Sequence, residues 1–137
     1  MSRRYRLHHV AIQTKDFERA VHFYRNVLGL EVIKEETSPK GRRIAWIDAG
    51  QARIELYGEK PGQRLAEAWA PEGLGPLSIG FLVSDLDQAV AEIRTRGAVI
   101  HREPYFPVHN ERAAMILGPD GEEIVLLEKP VGKVDFR

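Results

Sequence analysis

The sequence repeats itself at half its own length. Leu7–His8–His9–Val10–Ala11–Ile12 lies on Pro76–Leu77–Ser78–Ile79–Gly80–Phe81 at an offset of 69, and Asp16, Phe17, Ala20 and Val21 lie on Asp85, Leu86, Ala89 and Val90 at the same offset. Farther on, Ile54–Glu55–Leu56 lies on Ile124–Val125–Leu126 at an offset of 70. Two copies are too few for a solenoid, whose stacked units need at least about three repeats to close a core. A pair of modules related by a pseudo-twofold axis is the arrangement this pattern predicts.

Each copy reads as strand, helix, then three strands. His9 to Gln13 alternates with a period of two, placing Val10 and Ile12 on one face and His9, Ala11 and Gln13 on the other. Thr14 or Asp16 is placed to cap a helix whose apolar positions are Phe17, Ala20, Val21, Tyr24, Val27 and Leu28, with Gly29 as its left-handed stop. Strands follow at Leu30–Lys34, Arg43–Asp48 and Ala52–Tyr57. In the second copy Ser78–Val83 is a strand, and Ser84 or Asp85 caps a helix carrying Leu86, Ala89, Val90 and Ile93 that stops at Gly97. Strands near Val99–Arg102, Ala113–Leu117 and Glu123–Leu127 complete it, the last two joined by the turn Gly118–Pro119–Asp120–Gly121. The expected fold is therefore α+β, two βαβββ modules over residues 6–58 and 76–129 of one 6–129 domain. Between them lies a Gly- and Pro-rich linker with one helical turn at Leu65–Trp69, and residues 130–137 form a tail anchored by Phe136.

Composition narrows the chemistry. A chain of 137 residues can bury a core without staples. With no cysteine it has no disulfide, thiolate metal site or thiol nucleophile. Twenty basic side chains balance twenty acidic ones, which gives no global attraction to nucleic acid or to an anionic membrane. Arg3, Arg4 and Arg6 read as a solvated terminus. No stretch approaches the roughly 18 apolar residues of a membrane span and no signal peptide is visible, so a cytoplasmic protein is expected.

The βαβββ duplication, His9 on the first strand, the run Phe23–Tyr24–Arg25–Asn26–Val27–Leu28–Gly29–Leu30, the segment Arg53–Ile54–Glu55–Leu56 and the Pro119–Asp120–Gly121 turn together resemble the vicinal oxygen chelate superfamily. That superfamily holds glyoxalase I, methylmalonyl-CoA epimerase, extradiol dioxygenases and bleomycin- and fosfomycin-type resistance proteins. Many chemistries share these motifs, so they identify the fold and leave the reaction open. In its lyase and epimerase branch, the resemblance implies one divalent metal (Zn, Ni, Co or Mn) held by a His and a Glu from each module. His9 and Glu55 match the first pair; Ser78 and Val125 stand where the second His and Glu are expected. Two protein ligands are fewer than the three or four such ions ordinarily take. The loss of a carboxylate at position 125 also removes a candidate base for proton abstraction beside a carbonyl. The ordinary alternative for His9 is a part-buried imidazole hydrogen-bonded to Glu55.

Parity places positions 9, 55, 78 and 125 on equivalent inward faces. Gln13, Trp46, Arg53, Tyr57, Ser78, His109, Glu123 and Val125 are the expected contacts of a small molecule, with Trp46 either a pocket wall or core. Glu123 shares the face of Val125 but sits about 7 Å along the strand. His8 reads as an edge residue pointing opposite His9, while His22 and His101 read as surface histidines. The expected function is a divergent small-molecule binder, with a metal-dependent glyoxalase- or epimerase-like lyase or isomerase as the alternative. Unpaired edges on two open sheets predict a homodimer.

Overall fold

The computed structural model describes residues 6–62, 78–108 and 111–128. The expected linker turn at Leu65–Trp69, His109 and the 130–137 tail lie outside them. The chain divides into two compact units, Met1–Glu67 and Ala68–Arg137. The first contains β1 (His9–Gln13), α1 (Phe17–His22), a π-helical turn (Phe23–Val27), β2 (Val32–Thr37), β3 (Arg43–Asp48) and β4 (Arg53–Tyr57). The second contains β5 (Ser78–Val83), α2 (Leu86–Thr95), β6 (Ile100–Val108), β7 (Glu111–Leu117) and β8 (Glu123–Glu128). Both sheets have one topology, β1-β4-β3-β2 and β5-β8-β7-β6, with the first and last strands parallel and the other pairs antiparallel. The α+β, twice-βαβββ expectation is met.

Each sheet has a helix-packed face and a polar-bearing face. In the first unit Ile12, Ile54, Leu56, Ala45 and Ile47 are buried with Phe17, Ala20 and Val21 of α1. In the second, Ile124, Leu126, Ala114 and Ile116 are buried with Leu86, Val90 and Ile93 of α2. Period-two strands and a 3.6-residue helix stripe converge on each core, as the hydrophobic pattern requires.

Helix starts follow the repeat. Asp16 accepts the Arg19 N–H at 3.1 Å, and Asp85 accepts the Gln88 N–H at 3.0 Å. Thr14 does not cap; it is buried, and its hydroxyl oxygen accepts the Asp16 N–H at 3.1 Å, bracing the cap. In the second unit Glu128 adds a further acceptor for the Leu86 N–H at 2.9 Å. Replacing either aspartate by alanine should cost about 1 kcal/mol, readable as a lowered urea midpoint with an unchanged slope.

The helix ends differ, and the difference explains a slip in the repeat. A regular α-helix was expected to run through Leu28. Instead Leu28 N–H reaches Phe23 C=O at 3.0 Å, a bond across five residues, and the turn widens. Phe23 and Tyr24 are both buried, their rings edge to face at 5.0 Å. Gly29 (φ 75°) and Gly97 (φ 91°) then terminate the two helices. They lie 68 residues apart, whereas the caps lie 69 apart, so the π turn accommodates one extra residue in the first unit.

Two strands run differently from expectation. β2 begins at Val32, since Leu30 N–H is used to close the helix on Tyr24 C=O at 2.9 Å, and it extends to Thr37. β6 continues to Val108, with register irregularities between Ile100 and Arg102, Arg102 and Tyr105, and Tyr105 and Val108 that carry it past Pro104 and Pro107.

Candidate functional site

The parallel pairing of β1 with β4 brings the first unit's chemistry together. His9 is the register partner of Arg53, Ala11 of Glu55 and Gln13 of Tyr57. Across β4, Glu55 lies opposite Trp46 of β3, which in turn lies opposite Lys34 of β2. His9, Gln13, Arg53, Glu55, Tyr57, Trp46 and Lys34 thus share one face of the sheet.

Glu55 is the centre of this face. Its side chain is 4% exposed, yet it is a carboxylate. Arg53 Nε donates to Oε2 at 2.7 Å, Tyr57 OH donates to Oε1 at 2.5 Å, and His9 Nδ1 lies 3.6 Å from Oε2. Burial by itself raises the Glu55 carboxyl. The Tyr57 and Arg53 hydrogen bonds and the charges of His9 and Arg53 outweigh it, holding the group below its ordinary value. The same hydrogen bond, with burial, raises Tyr57.

A ring of cations and aromatics surrounds that carboxylate. The Arg53 guanidinium lies 3.8 Å from the centroid of Trp46, and Lys34 Nζ lies 4.5 Å from it. Arg42 packs at 4.8 Å over Tyr57, donating from Nη2 to Gln13 Oε1 at 3.0 Å and from Nε to Gly58 C=O at 2.8 Å. Trp46 is therefore a wall of the polar face and not a core residue.

One residue turns the other way from the sequence reading. His8 does not oppose His9; the two Nδ1 atoms are 2.8 Å apart, with the rings edge to face. His8 lies just before β1, where its C=O accepts the Arg53 N–H at 3.1 Å while its ring turns to His9. His8, His9 and Glu55 offer three ligand atoms within 4.8 Å of one another.

The second unit's counterpart is simpler. Ser78 and Glu123 are register partners, and Ser78 Oγ donates to Glu123 Oε1 at 2.8 Å. Glu123 Oε2 is buried and, among the described residues, has no hydrogen-bond partner. Val125 lies between Gly80 and Met115, and Tyr105 OH meets Met115 Sδ at 3.5 Å. His101 is exposed on β6, and His22 is exposed on α1.

The sequence profile of the Glyoxalase/Bleomycin resistance protein/Dioxygenase superfamily matches residues 6–126. The chain belongs to this superfamily. It is 33% identical over 129 residues to the uncharacterized protein YwkD of Bacillus subtilis (strain 168), covering 90% of this chain and 96% of that one. It is 26% identical over 133 residues to a lactoylglutathione lyase of Neisseria meningitidis serogroup A, covering 93% of each. Its fold matches the crystal structure of a glyoxalase family protein from Enterococcus faecalis with a TM-score of 0.74 and 25% identity, over 90% of this chain and 97% of that one.

Of the four positions at which the resemblance implies metal ligands, His9 and Glu55 carry donor side chains, Val125 carries none, and the Ser78 hydroxyl donates to Glu123 Oε1.

Proposed function

We propose that this superfamily member binds a small molecule through a carbonyl or anionic oxygen, on the polar face of its first-unit sheet and without needing the four-ligand metal. The carrying observation is the posture of Arg53. Its Nε is held by Glu55 and its plane rests on Trp46, so the fork is fixed before any ligand arrives. Among the described residues its terminal nitrogens carry no hydrogen bond, and a fixed guanidinium fork suits bidentate recognition of an oxyanion. Gln13, Trp46 and Tyr57, on the same face of the first-unit sheet, supply the flanking contacts. The protein acts as a homodimer; β1, β2, β5 and β6 are edge strands of their sheets, and a second chain covers such edges.

The test is a panel of small carboxylates, α-ketoacids and neutral isosteres, titrated into EDTA-treated protein by calorimetry. Oxygen-bearing anions should bind, and Arg53→Lys, which keeps the charge but loses the fork, should weaken them about tenfold. Binding that needs added metal, or that ignores the lysine substitution, would refute the reading.

A second reading, a metal-dependent lyase or isomerase, is favoured by the nearness of His8, His9 and Glu55 and by the lactoylglutathione lyase relative. Lactoylglutathione lyase and methylmalonyl-CoA epimerase assays of the metal-supplemented protein decide it.

A further inference from the structure

We infer that the anion bound on this face carries two carboxylates: an aliphatic dicarboxylate, held at one end by Arg53 and at the other by Arg42. This rests on the Arg53 reading above and names the class of its ligand.

Arg42 and Arg53 are held in the same posture. Arg42 Nε donates to the Gly58 C=O at 2.8 Å and Nη2 to Gln13 Oε1 at 3.0 Å, while its guanidinium lies 4.8 Å from the Tyr57 centroid. Arg53 likewise has its Nε on Glu55 and its plane on Trp46. In each, an Nε hydrogen bond and an aromatic ring fix the guanidinium before a ligand arrives, so little side-chain freedom is left to lose on binding. Among the described residues Arg42 Nη1 carries no hydrogen bond.

Charge distinguishes the two arginines. Arg53 is matched by the buried Glu55 carboxylate at 2.7 Å. Arg42 has neutral acceptors, a peptide carbonyl and an amide, and among the described residues no carboxylate pairs with it. Lys34, a third cation of the face, is matched by Glu36 at 2.8 Å. A single carboxylate on Arg53 leaves Arg42 an unmatched cation beside the occupied fork, and a second carboxylate on the same ligand answers it.

Spacing requires two groups rather than one. Residues 53 and 57 stand about 13 Å apart along β4. The Glu55 carboxylate lies between them, taking Arg53 on one oxygen and the Tyr57 hydroxyl, at 2.5 Å, on the other, and Arg42 lies over the Tyr57 ring. One oxyanion does not span a carboxylate and a phenol, so the two forks take two groups joined by a spacer. That spacer is aliphatic, because both rings of the face already carry cations. Trp46 holds Lys34 of β2 at 4.5 Å and Arg53 of β4 at 3.8 Å, and Tyr57 holds Arg42.

The experiment titrates EDTA-treated full-length protein calorimetrically with succinate, glutarate, adipate and pimelate, each beside the monocarboxylate of equal carbon number. One dicarboxylate of the series should bind at least about tenfold tighter than its monocarboxylate. Arg42→Gln should abolish that advantage while changing monocarboxylate affinity less than about twofold at physiological salt, where distant charges are screened. Retained monocarboxylate binding also shows that the variant is folded. Arg53→Lys should weaken both classes. Equal affinity for the two classes in the unmodified protein, or a dicarboxylate advantage that survives Arg42→Gln, would overturn the dicarboxylate; monocarboxylates that still respond to Arg53→Lys would then leave the Arg53 reading standing. No response of any carboxylate to Arg53→Lys would overturn both.

Discussion

Arg53→Met should destabilise the protein by about 2–3 kcal/mol at neutral pH in EDTA, with the deficit shrinking as the pH falls. Methionine keeps an apolar stem over Trp46 but leaves the buried Glu55 carboxylate without its cation. Removing one partner of a buried ion pair costs about 3–5 kcal/mol; Arg53 is partly exposed and Tyr57 remains, so the lower figure applies. The pH dependence carries the sharper information. In the unmodified protein the Glu55 carboxyl lies below its ordinary value, so its contribution is complete above the unfolded-chain value and is lost as pH falls through the folded one. Without Arg53 two of the influences that lower the Glu55 carboxyl are gone, so its folded value rises and acidification costs the variant less stability than it costs the unmodified protein. Urea unfolding between pH 4 and pH 8 measures both curves, and a deficit constant across that range would show that Arg53 does not hold Glu55.

The cores should respond still more strongly. Leu56→Ala and Leu126→Ala empty equivalent positions on β4 and β8, 0% and 4% exposed, and each should cost about 2–5 kcal/mol. Leu82, 48% exposed on the opposite face of β5, should tolerate alanine within about 0.5 kcal/mol. Guanidinium unfolding of the three variants checks the face assignment of both sheets. A large loss at Leu82 would show that its exposed face is covered by a second chain.

Periodicity made the fold legible. The caps Asp16 and Asp85, the stops Gly29 and Gly97, and the alternation through β1, β4, β5 and β8 were all readable because each depends on local chemistry. The π turn was not, since one extra residue inside a helix leaves no composition signal. Its trace was the 68-residue spacing of the two glycines against 69 for the caps. The long β6 was hidden by Pro104 and Pro107, which argue against a strand until irregular pairing admits them.

The site was half legible for a related reason. His9, Gln13, Arg53, Glu55 and Tyr57 follow from strand parity, and the Ser78–Glu123 pairing agrees with the expected shared face. His8 was misread because its ring turns to His9 although its C=O continues the pairing toward β4. The missing signal was only the adjacency of two histidines at a strand boundary, where the first is not bound to alternate. Trp46 could be read as wall or core from sequence; its place opposite Lys34 and Glu55 decided for the wall.

The parallel joining of β1 to β4 has a consequence for the order in which the molecule is built. Among the described strands β1 pairs with β4 alone, its register partners 44 residues later, so it must close a long loop before it gains a single ladder bond. The β2–β3 and β3–β4 hairpins are local and can zip first; β1 docks last onto β4. The polar face around Glu55, which draws on both strands, is therefore assembled at the final step of its module. Among the described residues each ladder of that sheet lies within the first unit, so during synthesis its pairing partners are all present before the second unit is made.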